Sequence, residues 1–246
     1  MKIRNVVLLT TAVVAGLFVS QRTVHASGPM NVTGSPASLK GTVKFQGTVP
    51  AAKPINMAAD PSCAKQHASP VMAQEIVADA KGDLQNVIVF VSDGLGDRTF
   101  DPPSQPAVIE QKGCMYAPHV LAVRAHQQLE LVNSDPTLHN IHPLPANNRE
   151  WNKAEAPGTT AEETFAREEI AIPIKCNVHP WMRSYVAVFN HPYFAVTGKD
   201  GSFELGNLPP GTYTIKAWHE KLGMASQQVT ISGNETKSLE FVFKGM

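Results

Sequence analysis

The chain is short of charge of either sign. Only 17% of its 246 residues are Asp, Glu, Lys or Arg, and 21 basic residues meet 21 acidic ones for a formal net charge of zero. With no Lys/Arg-rich run beside that balance, nucleic acid and anionic membrane surfaces drop out as partners. No glycine-rich phosphate loop is present, which removes nucleotide chemistry. Cysteine is scarce as well: three thiols are too few for a disulfide-dense scaffold. Long apolar runs are missing, because the best of them, residues 6–20, is about 15 residues and shorter than a spanning helix needs. No stretch carries helical periodicity over a convincing length.

What is present begins with an export signal. Met1-Lys2-Ile3-Arg4 is a basic start, residues 6–20 an apolar core, and Val24-His25-Ala26 a small-residue cleavage site. Together they read as a signal peptide over 1–26 rather than an uncleaved anchor. The expectation is a periplasmic or secreted protein with no stable membrane insertion after cleavage. Residues 27–38 are rich in Ser, Gly and Pro and read as a linker. About 220 residues remain, enough for one large all-β domain or two small ones. Nearly every apolar run among them is short, β-branched or alternating, and bounded by Gly, Pro, Asn or Asp, which predicts an all-β sandwich. Strands are expected over 41–45, 87–91, 120–125, 128–133, 169–174, 185–190, 202–205, 212–218, 227–231 and 238–243.

The densest chemistry lies in Cys176-Asn177-Val178-His179-Pro180-Trp181-Met182, which sets a thiol, an imidazole and a thioether in one short loop. A second imidazole, His139, stands upstream in Leu138-His139-Asn140-Ile141-His142. Two His, one Cys and a weak axial Met form the ligand set of blue copper sites, whereas structural zinc wants four Cys or His ligands. Ile170, Ile172, Ile174 and Cys176 share one parity, so a strand leading into the loop would point the thiol into the core. In an exported protein three cysteines then read as one pair plus one special thiol, leaving Cys63 and Cys114 for a disulfide.

The C-x2-H-x2-M spacing, the His179-Pro180-Trp181-Met182-Arg183 run and His139-Asn140-Ile141-His142 resemble the cupredoxins of the amicyanin type. The resemblance covers about a third of the chain and implies one type 1 copper held by His139, Cys176, His179 and Met182. It also implies that Asn140 braces the Cys loop by hydrogen bonding. His142 matches a motif position but is not carried over as a ligand, and Trp181 stands where that loop usually has Phe. The family's work in methylamine utilization makes an amine dehydrogenase and a c-type cytochrome the first candidate redox partners. A second resemblance lies further on. Ala195-Val196-Thr197-Gly198-Lys199-Asp200-Gly201-Ser202-Phe203-Glu204-Leu205 and Leu208-Pro209-Pro210-Gly211-Thr212-Tyr213 resemble the carboxypeptidase regulatory-like domain, a transthyretin-like sandwich. Residues 39–47 and 85–91 look like its opening strands.

The resulting expectation is a cupredoxin-like Greek-key β-sandwich over 106–190, combined with a transthyretin-like sandwich. The latter takes residues 191–246, and 39–105 either form its first half, with the cupredoxin inserted, or belong to the cupredoxin in two sequential domains. The function expected is single-electron transport by a monomer that is not an enzyme, with copper delivery or sensing as the alternative. A Cys176–His179 nucleophile and base would leave Met182 without a role. The outward edge of His179 is expected to carry the electron, with Pro180, Trp181 and Tyr185 as the partner docking patch. Among the other histidines, His219 follows an apolar face and is expected to be a satisfied buried imidazole. His119 is a candidate second-site group near the disulfide, and His67 is left open.

Overall fold

The structure is a computed structural model that describes residues 35–245. The expected signal peptide and most of the expected linker lie outside the described residues. Chain order runs β1 (Ala37–Gln46), the single-turn helix α1 (Pro61–Ala64), β2 (Ile88–Asp93), β3 (Ala107–Gln111), β4 (Tyr116–Ala117), β5 (Val120–Arg124) and β6 (Leu129–Asn133). There follow β7 (His139–Pro143), β8 (Lys153–Glu155), β9 (Thr160–Glu163), β10 (Glu169–Lys175) and β11 (Arg183–Phe189). The last are β12 (Phe194–Val196), β13 (Ser202–Leu208), β14 (Gly211–His219), β15 (Gly223–Ile231) and β16 (Thr236–Lys244). The all-β expectation holds, and among the described residues no helix is long and apolar enough to cross a membrane. β1 begins at Ala37, so the last two residues of the expected linker are already strand, with Ala37 buried.

Four sheets stack around three cores. The outer sandwich pairs the sheet β13-β1-β16 with the sheet β12-β2-β14-β15. Its core takes Leu39, Val43 and Phe45 from β1, Val89 and Val91 from β2, Phe203 from β13, Ile215 from β14 and Phe241 from β16. The inner sandwich pairs β5-β11-β10-β7-β8 with β4-β3-β6-β9, around Ile109, Leu131, Ile141, Ile172, Ile174, Val186 and Val188. β3 through β11 are thus interposed between β2 and β12, which pair with each other, Phe90 opposite Phe194.

Period two explains how the sandwiches join. β2 turns Val89 and Val91 into the outer core and Ile88 and Phe90 the other way, while β11 turns Val186 and Val188 into the inner core and Ala187 and Phe189 the other way. Ile88, Phe90, Val120, Ala187 and Phe189 meet in a third core between the sandwiches. Strands buried on both faces read as continuous apolar runs, which is why residues 87–91 and 185–190 stand out in the sequence.

The long connection from β1 to β2 crosses between the sandwiches. Val49 and Ile76 pack on the outer core, whereas Met57 and Cys63 are buried in the inner one. This strap is held by short bridges, Pro54 opposite Met72 and Ala78 opposite Leu84. It carries α1, whose N-cap Asp60 accepts from the Ser62 N–H, with Pro61 at the first helical position.

One expectation about β10 needs correcting. Ile172, Ile174 and Cys176 do line the inner core, but Ile170 packs on the core between the sandwiches. The pairing of β10 with β11 shifts register between Glu169 and Ile172, and Ala171 takes φ 61°. The extra residue reverses the alternation, as a bulge does.

Candidate metal centre

Two neighbouring strands of the inner sandwich bring the expected residues together. β7 runs antiparallel to β10, with His142 opposite Lys175, so that His139 and Asn140 at the start of β7 lie beside the loop that follows β10. That loop is pinned at both ends. Asn140 Oδ1 accepts from the Asn177 N–H at 2.7 Å and from the Cys176 thiol at 3.3 Å. The Met182 N–H donates to the His179 carbonyl at 2.9 Å, and the Cys176 N–H to the Met182 carbonyl at 3.3 Å. The His179 N–H reaches back to Cys176 Sγ at 3.4 Å.

Inside this frame the donor atoms converge. His139 Nδ1 and His179 Nδ1 face each other at 2.9 Å, and Cys176 Sγ lies 3.8 Å from His179 Nδ1. His139, Cys176 and His179 are 0%, 3% and 1% exposed, and Met182 closes the loop fully buried. Behind them Tyr116 donates its hydroxyl to the Asn140 carbonyl.

The outer nitrogens of both rings are held by carboxylates. His139 Nε2 meets Asp135 Oδ2 at 2.8 Å, and His179 Nε2 meets Asp60 Oδ2 at 2.9 Å. Asp135 is fixed in turn by the N–H groups of Gly113 and Cys114, at 2.6 and 2.7 Å. Burial opposes its charge, but the His139 contact and those two N–H groups keep its carboxyl below the usual range. Asp60 is likewise held low, first by the Ser62 hydroxyl and then by His179.

This arrangement decides what the pocket wants. Each ring that donates Nε2–H to a carboxylate shows Nδ1 as a bare lone pair, and two such lone pairs 2.9 Å apart repel unless a proton or a cation lies among them. Burial pushes His139 down, yet Asp135 and Cys176 carry it up to about 9, which describes the proton-filled pocket. Burial pushes the Cys176 thiol up, yet the His139 contact and backbone donors bring it down to about 6. Two imidazoles, a thiolate and a nearby thioether fit a soft cation, and copper best among them. Carboxylates on the far side of ligating imidazoles are the usual support of such sites.

Cys63 and Cys114 are joined in a disulfide, and Cys176 is the free thiol. The bridge lies against the centre, with Cys63 Sγ 3.6 Å from His179 Nε2. The expected solvent edge of His179 is therefore absent, because the strap, through Asp60 and Cys63, covers it. Trp181 is half-buried rather than displayed. Its ring lies 5.1 Å from that of His179, and its N–H donates to the Cys114 carbonyl at 3.1 Å. Pro180 is exposed and forms a ridge between two depressions. One, of about 430 Å³, is lined by Leu144, Pro173, Asn177 and Tyr185, and the other, of about 310 Å³, by Met115, Trp181, Arg183 and His119. Tyr185 turns toward the outer sandwich, its ring 5.4 Å from Trp218.

Three other histidines, His219, His119 and His67, each have a hydrogen-bond partner. His219 is buried, accepts from the Lys221 N–H at 3.2 Å, and is pushed down to about 4 by burial. His119 pairs with Glu220 at 2.5 Å, and His67 Nε2 meets the Gly113 carbonyl at 2.7 Å. Asp60 and Asp135 were not foreseen. Asp135, four residues before His139, carried a faint signal, while Asp60 showed only a helix start, Asp60-Pro61-Ser62.

A family profile described as polysaccharide lyase family 4, domain II, matches residues 166–239. No curated protein matches the chain by sequence. A copper-containing nitrite reductase from Thermus scotoductus SA-01 is 18% identical over 39% of this chain and 25% of its own, with a TM-score of 0.33. The chain thus spans a quarter of that enzyme's length. A purple cupredoxin from Nitrosopumilus maritimus is 23% identical over 34% of this chain and 99% of its own, with a TM-score of 0.30. A copper(I) amicyanin variant is 17% identical over 41% and 98%, with a TM-score of 0.32.

Proposed function

We propose that the chain is a single-electron carrier that holds one copper ion among His139, Cys176, His179 and Met182. The observation that carries this reading is the inward pair of Nδ1 atoms beside the Cys176 sulfur, each ring held from behind by a carboxylate. Copper bound there supplies a one-electron couple. The chain's own residues keep the donors in place and dry. Asn140 fixes the Cys176 end of the loop, the His179 carbonyl fixes the Met182 end, and the inner core packs beneath both. Donors so restrained move little when charge changes, and a small rearrangement is what a carrier needs. Met182, a weak donor on the same loop, tunes the potential.

Burial of all four side chains favours electron passage over turnover of a substrate, so the reading is of a carrier rather than an enzyme. A partner approaches over the Pro180 ridge, with Trp181 and Tyr185 in the depressions beside it. An amine dehydrogenase as donor and a c-type cytochrome as acceptor remain the first pair to test, with the protein acting as a monomer in the periplasm or outside the cell. The Cys63–Cys114 bridge supports that compartment, since such bonds persist under oxidising conditions.

The test is copper titration of the purified protein with its visible spectrum. One copper per chain and an intense thiolate-to-copper band are expected, and Cys176→Ser should abolish the band. A colourless protein that nevertheless holds one copper would overturn the carrier reading and favour copper delivery.

A further inference from the structure

Asp60 reaches across 119 residues of sequence to the centre, and its two oxygens act separately. Oδ1 accepts from the Ser62 N–H at 2.8 Å and from the Ser62 hydroxyl at 2.6 Å, which caps α1. Oδ2 is not needed for that cap and instead accepts from His179 Nε2 at 2.9 Å. Three residues on, Cys63 is bonded to Cys114. The Cys114 N–H in turn fixes Asp135, the carboxylate behind His139. One covalent bridge therefore ties together the two carboxylates that orient the two imidazoles.

We propose that Asp60 is a positioning residue of the metal centre, anchored over His179 by the Cys63–Cys114 bridge, and that the strap closes the imidazole edge to solvent. This rests on the copper reading above. An acceptor on Nε2 sets the tautomer that leaves Nδ1 bare, fixes the rotation of the ring, and makes it a stronger donor. It also removes the edge that would otherwise meet water or a partner. That leaves the ridge at Pro180, with the Trp181 ring beside His179, as the surface through which the carrier reading routes the electron.

The cap and the histidine contact separate by substitution. Serine caps a helix as well as aspartate does, but its side chain is too short to reach His179. Asparagine has one acceptor oxygen for the two donors that Asp60 serves, the Ser62 N–H and His179 Nε2–H, so it can keep one contact only at the expense of the other. Copper(I) affinity is read by competition with a copper(I)-selective chromogenic chelator, and the His179 Nε2–H by NMR of the diamagnetic copper(I) form labelled with ¹⁵N-histidine. Asp60→Ser should lose roughly 10- to 100-fold in affinity and lose the slowly exchanging Nε2–H. Asp60→Asn, with its single acceptor shared between the cap and the imidazole, should fall between wild type and Asp60→Ser in affinity. Should the serine variant fail to fold, the Cys63→Ala/Cys114→Ala double variant reads the same two quantities and should resemble the expected serine result. Wild-type affinity and a protected Nε2–H in Asp60→Ser overturn the positioning role, and a protected Nε2–H in the double variant overturns the anchoring. A wild-type chain that takes up no copper removes the metal centre and this inference together. A copper-binding wild type matched by Asp60→Ser removes this inference alone.

Discussion

Glu155, on β8 opposite His139, is buried with one carboxyl oxygen accepting from the Gln111 amide and the other without a partner. Burial pushes its carboxyl up to about 7, against the lowering effect of Gln111. In the unfolded chain such a group ionises near 4.5. Between those values the native state keeps a proton that the unfolded state releases, so stability falls as pH rises through that window and is level above it. Glu155→Gln is neutral throughout. It should stabilise the protein by about 2 kcal/mol at pH 8 and by nothing measurable at pH 4, read by urea unfolding at both. Equal effects at the two pH values would show that Glu155 ionises freely in the fold. At this scale the sequence exposed His139, Cys176, His179 and Met182 because three of them share one loop. It hid Asp60 and Glu155, since a lone carboxylate far along the chain carries no spacing that names its neighbour.

Among the elements, β1 shows why a small residue can matter more than a large one. It is the middle strand of its sheet, antiparallel to β13 and parallel to β16. A Cβ on Gly41 would stand 1.9 Å from the Leu239 carbonyl oxygen and 2.5 Å from the Phe203 ring. A carbonyl in a strand cannot swing aside as a side chain can. Gly41→Ala should therefore cost about 3 kcal/mol, measured as a lower urea midpoint with an unchanged slope. A loss under about 0.5 kcal/mol would mean that β16 slides to make room. The alternating strands were legible because one face of each is apolar. β7 was not: three of the five residues in His139-Asn140-Ile141-His142-Pro143 are polar, and His139 and Asn140 serve the centre while only Ile141 packs in the inner core. The bulge at Ala171 was equally invisible, since nothing in Glu169-Ile170-Ala171-Ile172 distinguishes an extra residue from a regular one.

For the whole molecule the question is whether the two sandwiches stand or fall together. Phe189 lies at the centre of the core between them, its ring 5.0 Å from Phe90 and 4.7 Å from Phe194. Heating should give one calorimetric transition in the wild type. Phe189→Ala should remove about 3–5 kcal/mol and split that transition in two, as each sandwich keeps its own core. A single transition in the variant would show that the remaining contacts, among them the strap, the His119–Glu220 pair and the Tyr185–Trp218 contact, are enough to couple them. Synthesis order adds a separate constraint. β1 pairs Ser38 with Thr236 and Gln46 with Lys244, so a strand made near the start has a neighbour made near the end. Closing a loop of roughly 200 residues must come before that pairing is rewarded, which raises contact order and slows folding. Until residues 236–244 emerge, one edge of β1 stays open to the strands of other chains, which makes the interval before the last strand is made the one most exposed to mispairing between nascent molecules.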